Sequence, residues 1–300
     1  MIRNLPPFAD YLLLISLGAL WGSAFIFVKI AGDEMTPLIQ TAYRLIVAVI
    51  LLWALLLLSR KWVKIDIKTM AWIFVCGVLG VAAPFYLIAW GQQEVSPGLT
   101  AVLMAIMPLI TLLLAHFATH DEKFTVLKGV GLVLGFIGVV ILMGPESLTG
   151  ANSALIFQIA ILGGATCYAI NAVLLKRLSH LPTLVLSTGT ITSGFLVTVP
   201  SAFFLEAPFH LDYSWNAFTA VFLLAALHLV FAAFILIFLI KRRGATFFSQ
   251  INLLVPLFGV LWAFLIFSEQ PSINATFALV LILSGIVIAR GDLKPVKTGP

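Results

Sequence analysis

Charge is scarce in this 300-residue chain. Only 10% of its residues are Asp, Glu, Lys or Arg, against roughly a quarter in soluble domains. With 62% hydrophobic residues and a mean hydropathy of +1.14, that deficit excludes a soluble globular protein. Cysteine is nearly missing as well. Cys76 and Cys167 both fall inside apolar segments, which excludes a disulfide framework and leaves packing as their role. No Asp or Glu sits in the middle of an apolar run. The commonest intramembrane proton relay and a two-carboxylate hydrolytic centre are therefore absent. There is no G-x-S-x-G elbow and no H-E-x-x-H. His116 and His120, followed by Asp121 and Glu122, resemble metal-ligand spacing, but their place beside Lys123 suits a wet helix end. An enzyme, a metal and a cofactor are not expected. The net charge of +5 does not point to nucleic acid, because Lys and Arg sit in short clusters between apolar runs and form no basic stripe with exposed aromatics.

What is present is a succession of apolar runs of about 20 residues, the length that spans a ~30 Å hydrocarbon core. Ten spans are predicted: Tyr11–Ile30, Pro37–Leu58, Met70–Trp90, Gly98–Phe117, Val126–Met143, Ala154–Leu175, Thr183–Leu205, Trp215–Ile240, Ala245–Phe267 and Ile273–Ala289. The first run has a weak basic flank (Arg3) and spanning length, so it reads as an uncleaved helix and not a signal peptide. With the N-terminus inside, every basic residue except Lys29 and Arg44 falls in an inward segment, and the outward loops around Glu94, Glu146, Glu206 and Glu269 hold none. This bias predicts cytoplasmic termini.

The chain repeats itself. Pro108 is followed 13 positions later by Asp121, and Pro256 is followed 13 positions later by Glu269. Pro37 and Pro182 open corresponding spans, and Gly138 aligns with Gly285. Residues 1–150 and 151–300 thus read as two five-helix repeats. Five is odd, so the second repeat enters the membrane inverted, as in alternating-access carriers. A mid-span proline removes a backbone donor and frees the carbonyl four residues earlier, here those of Met104 and Asn252. Paired interrupted spans of this kind point to a transporter's binding site.

The Gly18-x-x-Trp21-Gly22 pattern, the Pro37 to Arg44 spacing, the two proline–acid segments and the glycine-rich fifth and tenth spans are together similar to the EamA-type branch of the drug/metabolite transporter superfamily. Within it, the aromatic inventory and the Tyr86/Trp90 segment resemble the YddG-type exporters of aromatic and other neutral amino acids. The resemblance covers the whole chain. It implies an all-α polytopic membrane protein of ten helices in two inverted five-helix repeats, a monomer in a bacterial inner membrane, with amino acids as small-molecule substrate. The second half carries Gly189 where the first has Arg44, so the role of Arg44 is not duplicated. A phosphorylated substrate would need several buried cations, and only Arg44 is deep.

Arg44 lies seven residues into its span, roughly 10 Å below the outer edge at ~1.5 Å per residue. It is either an anchor for a substrate carboxylate or a structural arginine bonded to freed carbonyls. Tyr86, Trp90 and Gln93 recur at i, i+4 and i+7, an aromatic and amide face that suits an apolar ligand with a polar end; interfacial belting is the alternative for Trp90. Trp21 and Phe25 share a face with Gly18 and Gly22. Tyr168, Asn171, His228, Ser249, Gln250 and Asn252 are the deep polar side chains of the second half, either ligand contacts or interhelical glue. His228 is the one group among them that titrates near neutral pH. The expected substrate-binding set is Trp21, Arg44, Tyr86, Trp90, Met104, Tyr168, Asn171, His228, Ser249 and Asn252. Hinges are expected at Pro84, Pro108 and Pro256. The Gly18/Gly22 and Gly131/Gly135 pairs are expected to serve packing inside the molecule.

Overall fold

A computed structural model describes residues 7–60, 63–118, 125–143, 154–206 and 212–290. Asp121 and Glu122, His120, Lys123 and Glu146 lie outside the described residues. The described chain is all helix: α1 (Pro7–Gly32), α2 (Pro37–Ser59), α3 (Ile67–Gly91), α4 (Pro97–Ala118), α5 (Val126–Met143), α6 (Leu155–Leu178), α7 (Thr183–Leu205), α8 (Trp215–Gly244), α9 (Ile251–Phe267) and α10 (Ile273–Arg290). The first eight are long and apolar enough to cross a membrane, and the last two are shorter apolar helices. This is an all-α polytopic membrane protein.

Local chemistry sets several boundaries. Thr36, Ser96 and Ser214 are N-caps whose side chains accept from the amides of Ile39, Leu99 and Ala217. Proline follows the first two at N1, where its missing N–H costs nothing. Asp66 caps α3 in the same way, and the hydroxyl and amide of Thr69 hold its carboxyl below the usual range.

Glycines bring helix backbones together and thereby fix directions. A Cβ added at Gly18 would stand 2.7 Å from Leu254 Cβ, and one at Gly22 would stand 2.8 Å from the Gly259 amide. α1 and α9 therefore run parallel. Gly131 abuts the carbonyl of Gly285, and Gly138 would meet Ile282 Cγ1 at 2.8 Å, so α5 and α10 run antiparallel along a shared seam. Both pairs of G-x-x-x-G spacing are consumed inside the molecule. α2 packs on α7, α3 on α6, and α1 on α8. Each contact has a counterpart when every helix is advanced by five. Asp33–Thr36, Gln92–Ser96, Ser268–Ser272 and the residues Glu206 and Ser214 thereby meet at one end of the bundle, the capped end; the start of α1 and the end of α10 lie at the other.

Three departures from the expected helices matter. α4 is broken: residues Pro97–Met104 and Met107–Ala118 form separate helices around a turn at Ala105–Ile106, so Pro108 opens a second helix instead of kinking one. α9 keeps Pro256 inside an unbroken helix but begins at Ile251, not Ala245. Gly244 at φ 85° ends the preceding helix geometry, and Ser249 and Gln250 form the turn between. Finally, α3 and α8 each contain one wide π turn, at Val78–Ala82 and Ala226–Phe231. Pro84 explains the first, because it cannot donate to the Gly80 carbonyl.

Candidate functional site

Near the middle of the bundle lie side chains that face other helices and yet stay half-buried: Trp21, Arg44, Met104, Tyr168 and Asn171. Phe25, Ile88 and Ala101 pack against Met104, Tyr168 and Val255, so α1, α3, α4, α6 and α9 all contribute. Arg44 adds α2. Its guanidinium carbon stands 3.8 Å from the centroid of Phe85, a cation–π stack on an apolar wall. It lies within electrostatic range of Tyr168 and His228. Among the described residues Arg44 has no carboxylate partner, and its Nε is buried without a hydrogen bond.

The π turns place the next two groups. In α3 the turn brings Gly80 against the Asn171 amide so closely that a Cβ would collide with it. In α8 the corresponding turn presents His228, which is 4% exposed. His228 Nε2 lies 3.0 Å from Ser23 Oγ, and Nδ1 lies 3.0 Å from the Leu223 carbonyl. Trp21 Nε1 donates to the His228 carbonyl at 3.2 Å, a group that the wide turn leaves available. Asn171 Oδ1 is buried without a partner. The Gly80–Asn171 contact therefore matches the His228–Ser23 contact, each joining one half to the other.

The structure does not bring the whole expected set together. Tyr86 is 38% exposed and turned away from the face that buries Val81, Phe85 and Ile88. Trp90 packs on the Phe157 ring at 5.2 Å, and Gln93 is exposed in the following turn. The aromatic and amide face of α3 is thus its peripheral face, and the buried amide is the neighbour, Gln92, 3% exposed, whose Nε2 donates to the Phe25 carbonyl at 3.2 Å. Ser249 lies in the turn before α9 and Asn252 in the first turn of that helix, both toward the end opposite the caps. They do not form one helical stripe with Pro256.

Residues outside the expected binding set close the two ends, Glu269 of the second proline–acid segment among them. At the capped end, Glu34 accepts from the Ser214 amide at 2.7 Å and from its hydroxyl. Those bonds hold the Glu34 carboxyl below its ordinary value. Glu206 accepts from the Thr36 hydroxyl. Glu269 accepts from the Ser96 hydroxyl and from the Gly98 amide at 3.0 Å. Each carboxylate reaches the N-terminus of a helix in the other half, where an anion is favoured. Beside Glu269 a side pocket of about 300 Å³ opens between α4, α9 and α10. At the opposite end the buried Asp10 carboxylate meets Arg242 at 2.7 Å and Arg243 at 3.8 Å, joining α1 to α8. The signal for these contacts was available as lone acids beside helix caps, but nothing local says which cap each acid serves.

Comparison with known proteins agrees with this architecture. The model of the EamA-like transporter family matches residues 9–144 and again 155–291. The chain is 24% identical over 274 residues to the uncharacterized transporter YoaV of Bacillus subtilis, covering 91% of this chain and 94% of that one. It is 26% identical to the uncharacterized inner membrane transporter YedA of Escherichia coli over 282 residues, 92% and 88% of the two chains. A solved crystal structure superposes with a TM-score of 0.65 at 17% identity, covering 95% of this chain and 97% of the other, a likeness of fold.

Proposed function

Because the chain belongs to the EamA-like transporter family, we propose that it is a secondary transporter that works by alternating access and exports amino acids, aromatic ones included. One observation carries the substrate class: the central group holds one orphan donor, Arg44 Nε, and one orphan acceptor, Asn171 Oδ1, one helical turn from Tyr168. A buried polar atom without a partner costs about 1–3 kcal/mol, and an α-amino acid brings a carboxylate for the first and an ammonium for the second. The rings of Phe25, Phe85 and Tyr168 offer an apolar wall for its side chain. One deep cation matches one carboxylate.

Trp21, Arg44, Met104, Tyr168, Asn171 and His228 form the binding set in this reading. Asn252 and Ser249 stand on the path to it, and Tyr86 and Trp90 serve the periphery. The two halves act as inverted repeats, a reading supported by the two family matches and the paired π turns. The carboxylate contacts of the capped end hold one gate and Asp10 with its arginines the other. The basic clusters put the termini in the cytoplasm of a bacterial cell, with the chain acting as a monomer.

Counterflow in proteoliposomes tests this. Vesicles preloaded with unlabelled phenylalanine or threonine should accumulate labelled partner with saturation. Counterflow of another metabolite alone, such as UDP-glucose, would replace the amino-acid reading, and flux without counterflow would make the protein a channel.

A further inference from the structure

α9 and α10 follow each other in the chain yet lean on different partners. α9 packs on α1 and on the first part of α4, whereas α10 packs on α5. The two diverge from the turn at residues 268–272, and the gap left between them and α4 is the pocket of about 300 Å³ beside Glu269. Its lining changes character with depth. The buried residues on it, Val102, Ala263 and Ala275, are apolar, the exposed ones include Gln270 and Ser272, and the Glu269 carboxylate lies half-exposed between.

This gradient coincides with the membrane boundary. Phe264 and Leu265 on α9 and Phe277 and Val280 on α10 are exposed apolar side chains, so this flank of the bundle faces acyl chains. α9 has 17 residues, about 26 Å at 1.5 Å per residue, and its end comes to the edge of a ~30 Å hydrocarbon core. Glu269, just past that end, stands at the level of lipid headgroups. The pocket thus meets acyl chains along its side and water at its exposed turn.

The charge there asks for a cation. Glu269 accepts from the Ser96 hydroxyl and from the Gly98 amide at 3.0 Å, which leaves lone pairs on both oxygens, because a carboxylate offers about four acceptor positions. Among the described residues no lysine or arginine reaches it. The described lysine of the capped end, Lys29, is paired with Asp33 at 3.0 Å, while Glu34, Glu94 and Glu206 add negative charge at the same end. An anionic headgroup is repelled here and an ammonium is drawn in. The first turn of α10 borders the same pocket at Ser272 and Ala275, and a helix start favours the phosphate that adjoins such an ammonium.

We propose that this pocket binds a phospholipid with a primary-ammonium headgroup, of the phosphoethanolamine type. The ammonium sits on Glu269, the phosphate lies at the start of α10, and an acyl chain runs along Val260 and Ala263.

The test is the apparent affinity of the first lipid bound to the delipidated full chain, read by native mass spectrometry from detergent. Phosphatidylethanolamine should bind about five- to thirtyfold more tightly than phosphatidylglycerol, the worth of a charge-assisted hydrogen bond at a half-exposed carboxylate. Phosphatidylcholine, a cation without N–H donors, should bind more weakly than phosphatidylethanolamine. Glu269→Gln should abolish the preference. Ser96→Ala loosens the same end but keeps the carboxylate, and should preserve it. Free ethanolamine at the same concentration should not displace the lipid; displacement would make this a site for soluble amines in place of lipid. Equal affinity for phosphatidylethanolamine and phosphatidylglycerol overturns the proposal, as does a preference that survives in Glu269→Gln or is lost equally in Ser96→Ala.

Discussion

Replacing Glu269 with glutamine should loosen the capped end by a predictable factor. The carboxylate accepts from the Ser96 hydroxyl and from the Gly98 amide at 3.0 Å, at the first turn of α4. Hydrogen bonds to a charged group contribute roughly 1.5–3 kcal/mol and neutral ones about 1. Glutamine keeps one acceptor oxygen of the neutral kind and loses the favourable charge at the helix start, itself worth about 0.3–1 kcal/mol. Glu269 is half-exposed, which discounts the total to about 1–2 kcal/mol, or roughly 5–30-fold in the equilibrium between closed and open ends. A cysteine at Leu99, in the pocket beside Glu269, reports opening through its rate of maleimide labelling, with Cys76 and Cys167 replaced by alanine. Labelling should accelerate by that factor in Glu269→Gln. Ser96→Ala should be non-additive with it, since both remove one contact. A rate within twofold of the parent would refute the idea that this carboxylate holds the end shut, as would simple additivity.

Glu34 gives the same end a pH response. Its carboxyl is held below the ordinary 4.5 by the Ser214 hydroxyl first and the Ser214 amide second, so its contribution is complete above 4.5 and is lost as pH falls through the lower folded value; labelling at the capped end should rise only in that acid range, and Glu34→Gln should abolish the rise. Arg44→Lys should lose at least about tenfold in transport with normal expression, because a lysine cannot reproduce the flat stack on Phe85 or a bidentate grip on carboxylate; undiminished counterflow would end the anchor role. Gly22→Ala should lower thermal stability by about 1–3 kcal/mol, since the new Cβ would stand 2.7 Å from Phe258 Cβ and 2.8 Å from the Gly259 amide; an unchanged melting temperature would contradict the close α1–α9 crossing. Asp10→Asn should speed labelling of a cysteine at Phe248, at the end opposite the caps, and leave the Leu99 reporter unchanged.

Hydropathy alone located ten apolar spans, because a span announces itself over some 20 residues and tolerates errors at its ends. Finer features depend on contacts that no short window contains. The π turn at Ala226–Phe231 has no proline to betray it, and its residues read as ordinary helix. In the turn after α3, the neighbours Gln92 and Gln93 have opposite fates, one buried and one exposed, that their identity does not reveal. The break in α4 and the continuity of α9 follow similar prolines, Pro108 and Pro256, so the proline alone does not decide between them. Arg44 was visible as the one deep cation, whereas its stack on Phe85 needed the packing of α2 against α3. The partners of the three carboxylates of the capped end were not legible, because each serves a helix more than 150 residues away in sequence.

The seam between α5 and α10 has a mechanical consequence. Its contact at Gly131 and Gly285 is made by peptide groups, so there are no side chains there to change rotamer and let one helix slide past the other. Both helices have 18 residues, about 27 Å at 1.5 Å per residue, slightly short of an average hydrocarbon core. A pair shorter than the core is matched by local thinning of the bilayer and not by tilt, so the membrane should be thinnest beside this seam. The seam also shares one apolar core with α4 and α6, against which Met104 packs, so strain at this edge is passed to the centre and not absorbed by the pair alone.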